Sequence, residues 1–129
     1  MSIRLISISH KTAPLEVREL FAFTKEKQTE LEKILIDEGG AAESVIIATC
    51  NRTEIYTYFD KNQDKKKNVF TRLQELILRE SGAAAVKGDV SDYLRFYQDR
   101  KAVNHLFSVT AGLDSMVVGE DQILGQVKN

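Results

Sequence analysis

Three side chains in this sequence carry the most usable chemistry: Cys50, Arg52 and His105. Cys50 is the only cysteine. As a thiolate it is a soft nucleophile suited to acyl carbon. Arg52 follows by two positions, and on extended chain that spacing puts both side chains on one side. Its guanidinium can clamp a carboxylate through paired hydrogen bonds and hold a substrate near the sulfur. His105, between Asn104 and Leu106, can exchange a proton or polarise a carbonyl where the fold brings it to Cys50. Each residue also has a plainer reading. A lone cysteine beside an apolar strand serves as a small hydrophobe. Arg52 reads equally as a surface arginine, and His105 as a partly buried ring held by a backbone carbonyl.

Other polar stretches divide in the same way. Gly112 to Gln126 holds three glycines and a concentration of Asp114, Ser115, Glu120, Asp121, Gln122 and Gln126 among apolar residues. It reads either as a loop running into an amphipathic helix or as the polar wall of a pocket. In the second case Glu120 and Gln122 can receive an ammonium or amide. His10 reads as a turn residue with local hydrogen bonds. Lys61, Lys65, Lys66 and Lys67 read as a solvated loop, with phosphate contact as the lesser reading. The chain has no G-x-G-x-x-G, no G-x-x-x-x-G-K-[ST], no H-E-x-x-H and no cysteine pair, so no dinucleotide fingerprint is present.

These groups need elements to position them. Ile3 to Ser9 alternates with apolar residues on both sides, Ile6 and Ile8 on one and Ile3 and Leu5 on the other, as an inner strand does. Pro14 suits a helix start, and Leu15, Val17, Leu20 and Phe21 give a short helical face. Thr24 is placed to cap a helix carrying Leu31, Ile34 and Leu35, ended by Gly39-Gly40. Ser44–Ala48 and Thr53–Phe59 read as strands flanking the Cys50 turn. Val69, Phe70, Leu73, Leu76 and Ile77 recur at helical spacing, and Ser81-Gly82 stops that helix. Tyr93–Tyr97 reads as a fourth strand. Asp99 is placed to cap a helix with Val103, Leu106, Phe107 and Thr110 on one side, closed by Gly112. A last helix begins near Glu120 with Ile123, Leu124 and Val127 on one face. It has no terminator before Asn129, so the chain reads as a fragment.

The order predicts an α+β, ferredoxin-like split βαβ fold: an antiparallel sheet with helices on one face, then C-terminal helices. The boundary falls after residue 113, with 114–129 as pocket loop and connecting helix. At 129 residues and 43% hydrophobic content the chain suits one domain with a real core. A net charge of −1 excludes a generic polyanion binder. One cysteine excludes an internal disulfide and fits a reducing cytoplasm. No stretch is long and apolar enough to span a membrane, and no signal or transit pattern opens the chain. Two histidines and one cysteine, far apart, make a poor metal site.

Three blocks together resemble the N-terminal catalytic domain of the glutamyl-tRNA reductase family. They are Ser9-His10-Lys11-Thr12-Ala13-Pro14 with Val17-Arg18-Glu19; Thr49-Cys50-Asn51-Arg52-Thr53-Glu54-Ile55-Tyr56; and Ala111 to Glu120 with Gln122 to Val127. Asp121 is one departure, at a position where many members carry proline or another residue. The resemblance implies Cys50 as the nucleophile that takes the glutamyl group from glutamyl-tRNA as a thioester. NADPH, bound by a domain absent from this sequence, would then reduce the thioester to glutamate-1-semialdehyde for tetrapyrrole synthesis. It implies His105 as the activity-linked histidine. It puts Thr49, Asn51, Arg52, Ser115, Glu120, Asp121, Gln122 and Gln126 at glutamate-pocket positions, with Arg52 on the side-chain carboxylate. It also implies a V-shaped homodimer formed through a missing C-terminal domain, a final helix that begins a long spinal helix, and channelling to the downstream aminomutase. The alternative from a different class is a non-catalytic ferredoxin-like module that binds an amino acid or an RNA end, with Cys50 structural.

Overall fold

In a computed structural model of the chain, the described residues are 2–60, 68–82 and 90–111. Four strands form the sheet: β1 (Ser2–Ser9), β2 (Glu43–Ala48), β3 (Arg52–Phe59) and β4 (Arg95–Gln98). Their spatial order is β2-β3-β1-β4, with every pairing antiparallel. The helices are α1 (Leu15–Arg18), α2 (Lys25–Asp37), α3 (Val69–Glu80) and α4 (Arg100–Thr110), and 3₁₀ turns cover Glu19–Phe21 and Val90–Tyr93. This is the expected split βαβ arrangement. β1 and β3 are inner strands, which accounts for the apolar residues on both sides of β1.

Alternation along the strands divides the core into two. Ile6, Ile8, Ile46, Ile55 and Phe59 face one way and pack with Phe21, Leu31, Leu35, Leu73, Leu76 and Ile77 from the helical layer. Each such side chain contributes about 1.5–3 kcal/mol when fully removed from water. Ile47 and Tyr56 face the other way and meet Leu106 and Val109 of α4. Leu5 shares that second face, because it stands opposite both Tyr56 and Tyr97 in the register. The sheet is thus covered on one face by the core helices and on the other by α4, which extends the one-sided arrangement expected from the element order.

Local signals explain most boundaries. The Thr24 hydroxyl accepts from the Lys27 N–H at 3.1 Å and caps α2. Gly40 ends the following turn at φ +81°, a conformation that glycine adopts without steric cost. Ser81 caps the C-terminus of α3.

Four expectations need correction. The fourth strand is Arg95–Gln98, because Val90–Tyr93 winds into a 3₁₀ turn instead. Asp99 does not cap α4 with its side chain. It sits at φ +52°, and its Oδ1 accepts from the Ile3 N–H at 2.9 Å while its own N–H donates to Ile3 at 2.8 Å, clasping the start of α4 to β1. The inner face of α4 is Ala102, His105, Leu106 and Val109, whereas Phe107 is 65% exposed. Leu15, expected to help form an apolar face, is also mostly exposed. The lysine loop at 61–67, the closing Gly112, the boundary at 113 and the tail lie outside the described residues.

Candidate active site

The β2–β3 connection is Thr49-Cys50-Asn51, a tight turn between strands that pair directly. The Thr49 N–H donates to the Arg52 carbonyl at 2.8 Å, and the Asn51 N–H donates to the Thr49 hydroxyl at 3.2 Å. The turn after β1 braces it, since the His10 N–H donates to the Asn51 carbonyl at 2.9 Å. The local role expected of His10 is thus a bond to the neighbouring turn. From α1, Nη1 of Arg18 donates to the Cys50 carbonyl at 3.4 Å. Each bond leaves the sulfur uncovered, and Cys50 is an exposed free thiol. The reading of Cys50 as a buried hydrophobe is excluded.

Beside the thiol lies a cleft of about 240 Å³, bounded by Leu15, Arg18, Glu19, Ala22, Thr49 and Cys50 among others. This is the size of a site for an amino-acid-sized group. It falls below the roughly 300–1,000 Å³ of sites for drug-sized ligands. No described helix opens on a glycine-rich turn; the residues before α1 to α4 are Pro14, Thr24, Asn68 and Asp99. The described helices therefore lack the glycine-rich start of the common dinucleotide fingerprint. Among them no group of His, Cys, Asp and Glu is placed to hold a metal ion, and no helix is long and apolar enough to cross a membrane.

Arg52 opens β3 and points to the second face of the sheet, the face of Glu54 and Tyr56. Its side chain is 0% exposed, so it is no surface arginine. Nη1 of Arg52 lies 3.9 Å from Oε1 of Glu54, itself 1% exposed. The same Oε1 lies 2.5 Å from Nε2 of His105. The imidazole is stacked on Tyr97 of β4, with centroids 4.6 Å apart and planes at 20°. Spacing on α4 explains the placement: Ala102, Leu106 and Val109 pack inward, and position 105 falls on that side. His105 is thereby joined to a carboxylate and not to a backbone carbonyl, and its described partner is Glu54 and not the Cys50 thiol. Burial, with the negative charge of Glu54 beside it, holds the Tyr56 hydroxyl well above the ordinary tyrosine range.

Glu54 carries this arrangement, and sequence reasoning gave it no role. Its signal was present: two residues from Arg52 on a strand, it must share that residue's face. Of the expected pocket residues, Thr49, Asn51 and Arg52 lie on or next to the cysteine turn. Ser115, Glu120, Asp121, Gln122 and Gln126 lie outside the described residues.

Comparison with known proteins supplies a context for this geometry. The family profile described as glutamyl-tRNAGlu reductase, N-terminal domain, matches residues 6–129. A glutamyl-tRNA reductase of Thermodesulfovibrio yellowstonii is 46% identical over 130 residues, covering 99% of this chain and 30% of the relative. One from Bacillus velezensis is 39% identical, covering 100% of this chain and 27% of the relative. Among solved structures, glutamyl-tRNA reductase from Methanopyrus kandleri superimposes with a TM-score of 0.66 at 29% identity, over 98% of this chain and 26% of that one. The chain spans under a third of the length of these relatives.

Proposed function

The chain belongs to the glutamyl-tRNA reductase family, as its N-terminal domain, and we propose that it carries the acyl-transfer half of that reaction. The Cys50 thiol gives up its proton as its sulfur attacks the ester carbonyl joining glutamate to the tRNA 3′ end. The Sγ–C bond forms, the C–O bond breaks, and the thiol's proton ends on the departing ribose oxygen. An aminoacyl ester is already activated, so a sulfur nucleophile with modest assistance suffices. Arg52 takes the side-chain carboxylate of the glutamyl group, with Thr49 and Asn51 beside it and Ser115, Glu120, Asp121, Gln122 and Gln126 completing the pocket. His105 serves the proton chemistry.

The supporting observation is the exposed Cys50 on a turn braced by the His10 N–H on one side and the Arg18 side chain on the other, at the mouth of an amino-acid-sized cleft. On this reading the full-length protein uses NADPH to reduce the thioester to glutamate-1-semialdehyde for tetrapyrrole synthesis. It works in the cytoplasm as a homodimer that passes its product to the aminomutase. NADPH supplies the hydride when bound, and on this reading this chain's own part ends at the thioester.

The test is incubation of the chain with labelled glutamyl-tRNA. A covalent glutamyl adduct released by hydroxylamine is expected, and Cys50→Ser should lose it. A wild-type protein that binds glutamyl-tRNA and forms no adduct would instead support a binding module.

A further inference from the structure

Glu54 is a charged residue in the middle of the sheet, on an inner strand, with no exposed surface. A buried carboxylate is strongly disfavoured unless it is paired and hydrogen-bonded. Its Oε1 faces two cationic or donor groups, Nη1 of Arg52 and Nε2 of His105. The other oxygen, Oε2, has no hydrogen-bond partner among the described residues. An ionised carboxylate only accepts, so the proton between Glu54 and His105 sits on Nε2. A neutral imidazole with Nε2 protonated carries its lone pair on Nδ1. The tautomer is therefore chosen by Glu54, and Tyr97 fixes the plane of the ring.

We propose that Glu54 is the positioning residue of this site: it holds His105 as the Nε2–H tautomer, leaves Nδ1 as the atom that exchanges protons, and joins the histidine to Arg52 through one carboxylate. This deepens the acyl-transfer reading and rests on it for its chemical meaning. In that chemistry Nδ1 is the ring atom left to carry the proton that ends on the ribose oxygen as the C–O bond breaks, and the Glu54 carboxylate at Nε2 stabilises the positive charge the ring takes up meanwhile. Arg52, held by the same oxygen, is set to meet the substrate carboxylate in a fixed relation to the proton-transfer ring.

Two measurements on the full chain test this. The first is ¹⁵N NMR of histidine-labelled protein, with His10→Gln to assign the rings. The expected signature for His105 is a protonated Nε2 and an unprotonated Nδ1, and a dominant Nδ1–H form would overturn the proposal. The second is a double-mutant cycle on adduct formation. Glu54→Gln should slow the adduct step at saturating glutamyl-tRNA by on the order of 10²-fold, within the range typical of acid–base assistance. In a His105→Ala background the same substitution should add nothing, because its effect passes through the ring. An undiminished further loss in that background, or a change in half-saturation alone, would overturn the proposal. If wild type forms no adduct, the acyl-transfer reading fails, and the NMR signature still decides whether Glu54 sets the tautomer.

Discussion

The backbone N–H of His10 donates to the carbonyl of Asn51 at 2.9 Å, which ties the turn that ends β1 to the turn that presents Cys50. The thiol therefore projects from a fixed support, and Cys50 is exposed. The folded protein should alkylate with iodoacetamide at a rate within about tenfold of a free cysteine, as accessible thiols do. Mass spectrometry without denaturant reads the outcome. A thiol that reacts only after unfolding would contradict the exposed turn.

The Arg52–Glu54 pair is buried on both sides, so removing one partner takes a compensating charge from the other. Glu54→Ala should destabilise the fold by about 3–5 kcal/mol, the usual loss when a buried pair is broken. Glu54→Gln keeps the shape and an acceptor oxygen, and should cost less. Urea midpoints at constant m-value provide the comparison. Equal losses for the two variants would show that the charge contributes little.

Asp99 accepts from the Ile3 N–H through Oδ1 while adopting a positive φ. Asp99→Ala loses the acceptor and places an unsuited residue in that conformation, so a loss of about 1–3 kcal/mol is expected. Asp99→Asn keeps an acceptor oxygen and tolerates positive φ, and should retain most of the stability. An alanine variant as stable as wild type would show that the clasp is dispensable.

A polar network joins α2 to α3 on the surface. Glu80 accepts from Lys27 at 2.8 Å and from Arg79 at 2.9 Å, and Glu38 accepts a paired hydrogen bond from Arg79 at 3.0 and 2.9 Å. The bond from Lys27 holds the Glu80 carboxyl below its ordinary value, and the bonds from Arg79 do the same for Glu38. A carboxyl whose folded pKa is depressed contributes stability above its unfolded value near 4.5, and that contribution disappears as pH falls through the folded value. Lys27 is raised by its bond to Glu80, so its contribution is full below 10.5 and disappears in alkali. Denaturation midpoints should fall below pH 4.5, and less steeply in Arg79→Ala. Parallel curves for the two proteins would remove the network from the acid transition.

The strands and the first three helices were legible because their signals are local. Alternation in β1, the Thr24 cap and the spacing of Leu73, Leu76 and Ile77 each depend on neighbours a few positions away. The chemistry around Glu54 was not legible, because its meaning comes from His105, 51 positions distant. For α4, apolar residues alone suggested a face containing Phe107. The packed face instead admits a histidine, because a buried carboxylate waits for it. Asp99 looked like a helix cap because that is the commonest use of aspartate before a helix. Its actual partner, Ile3, lies at the other end of the sequence. Cys50 and Arg52 stood out together in the sequence, but their two-residue spacing concealed different surroundings: the thiol is exposed, and the guanidinium is buried beside Glu54.

The 51-residue separation of Glu54 and His105 also has a meaning in time. At about 5–20 residues per second of synthesis, the carboxylate leaves the ribosome roughly 3–10 seconds before the ring that completes its surroundings. During that interval Cys50 has already been made and the second face of the sheet stands open. The thiol is therefore made before α4 closes over the second face of the sheet, and Glu54 meets its ring partner only when that last described helix has been synthesised.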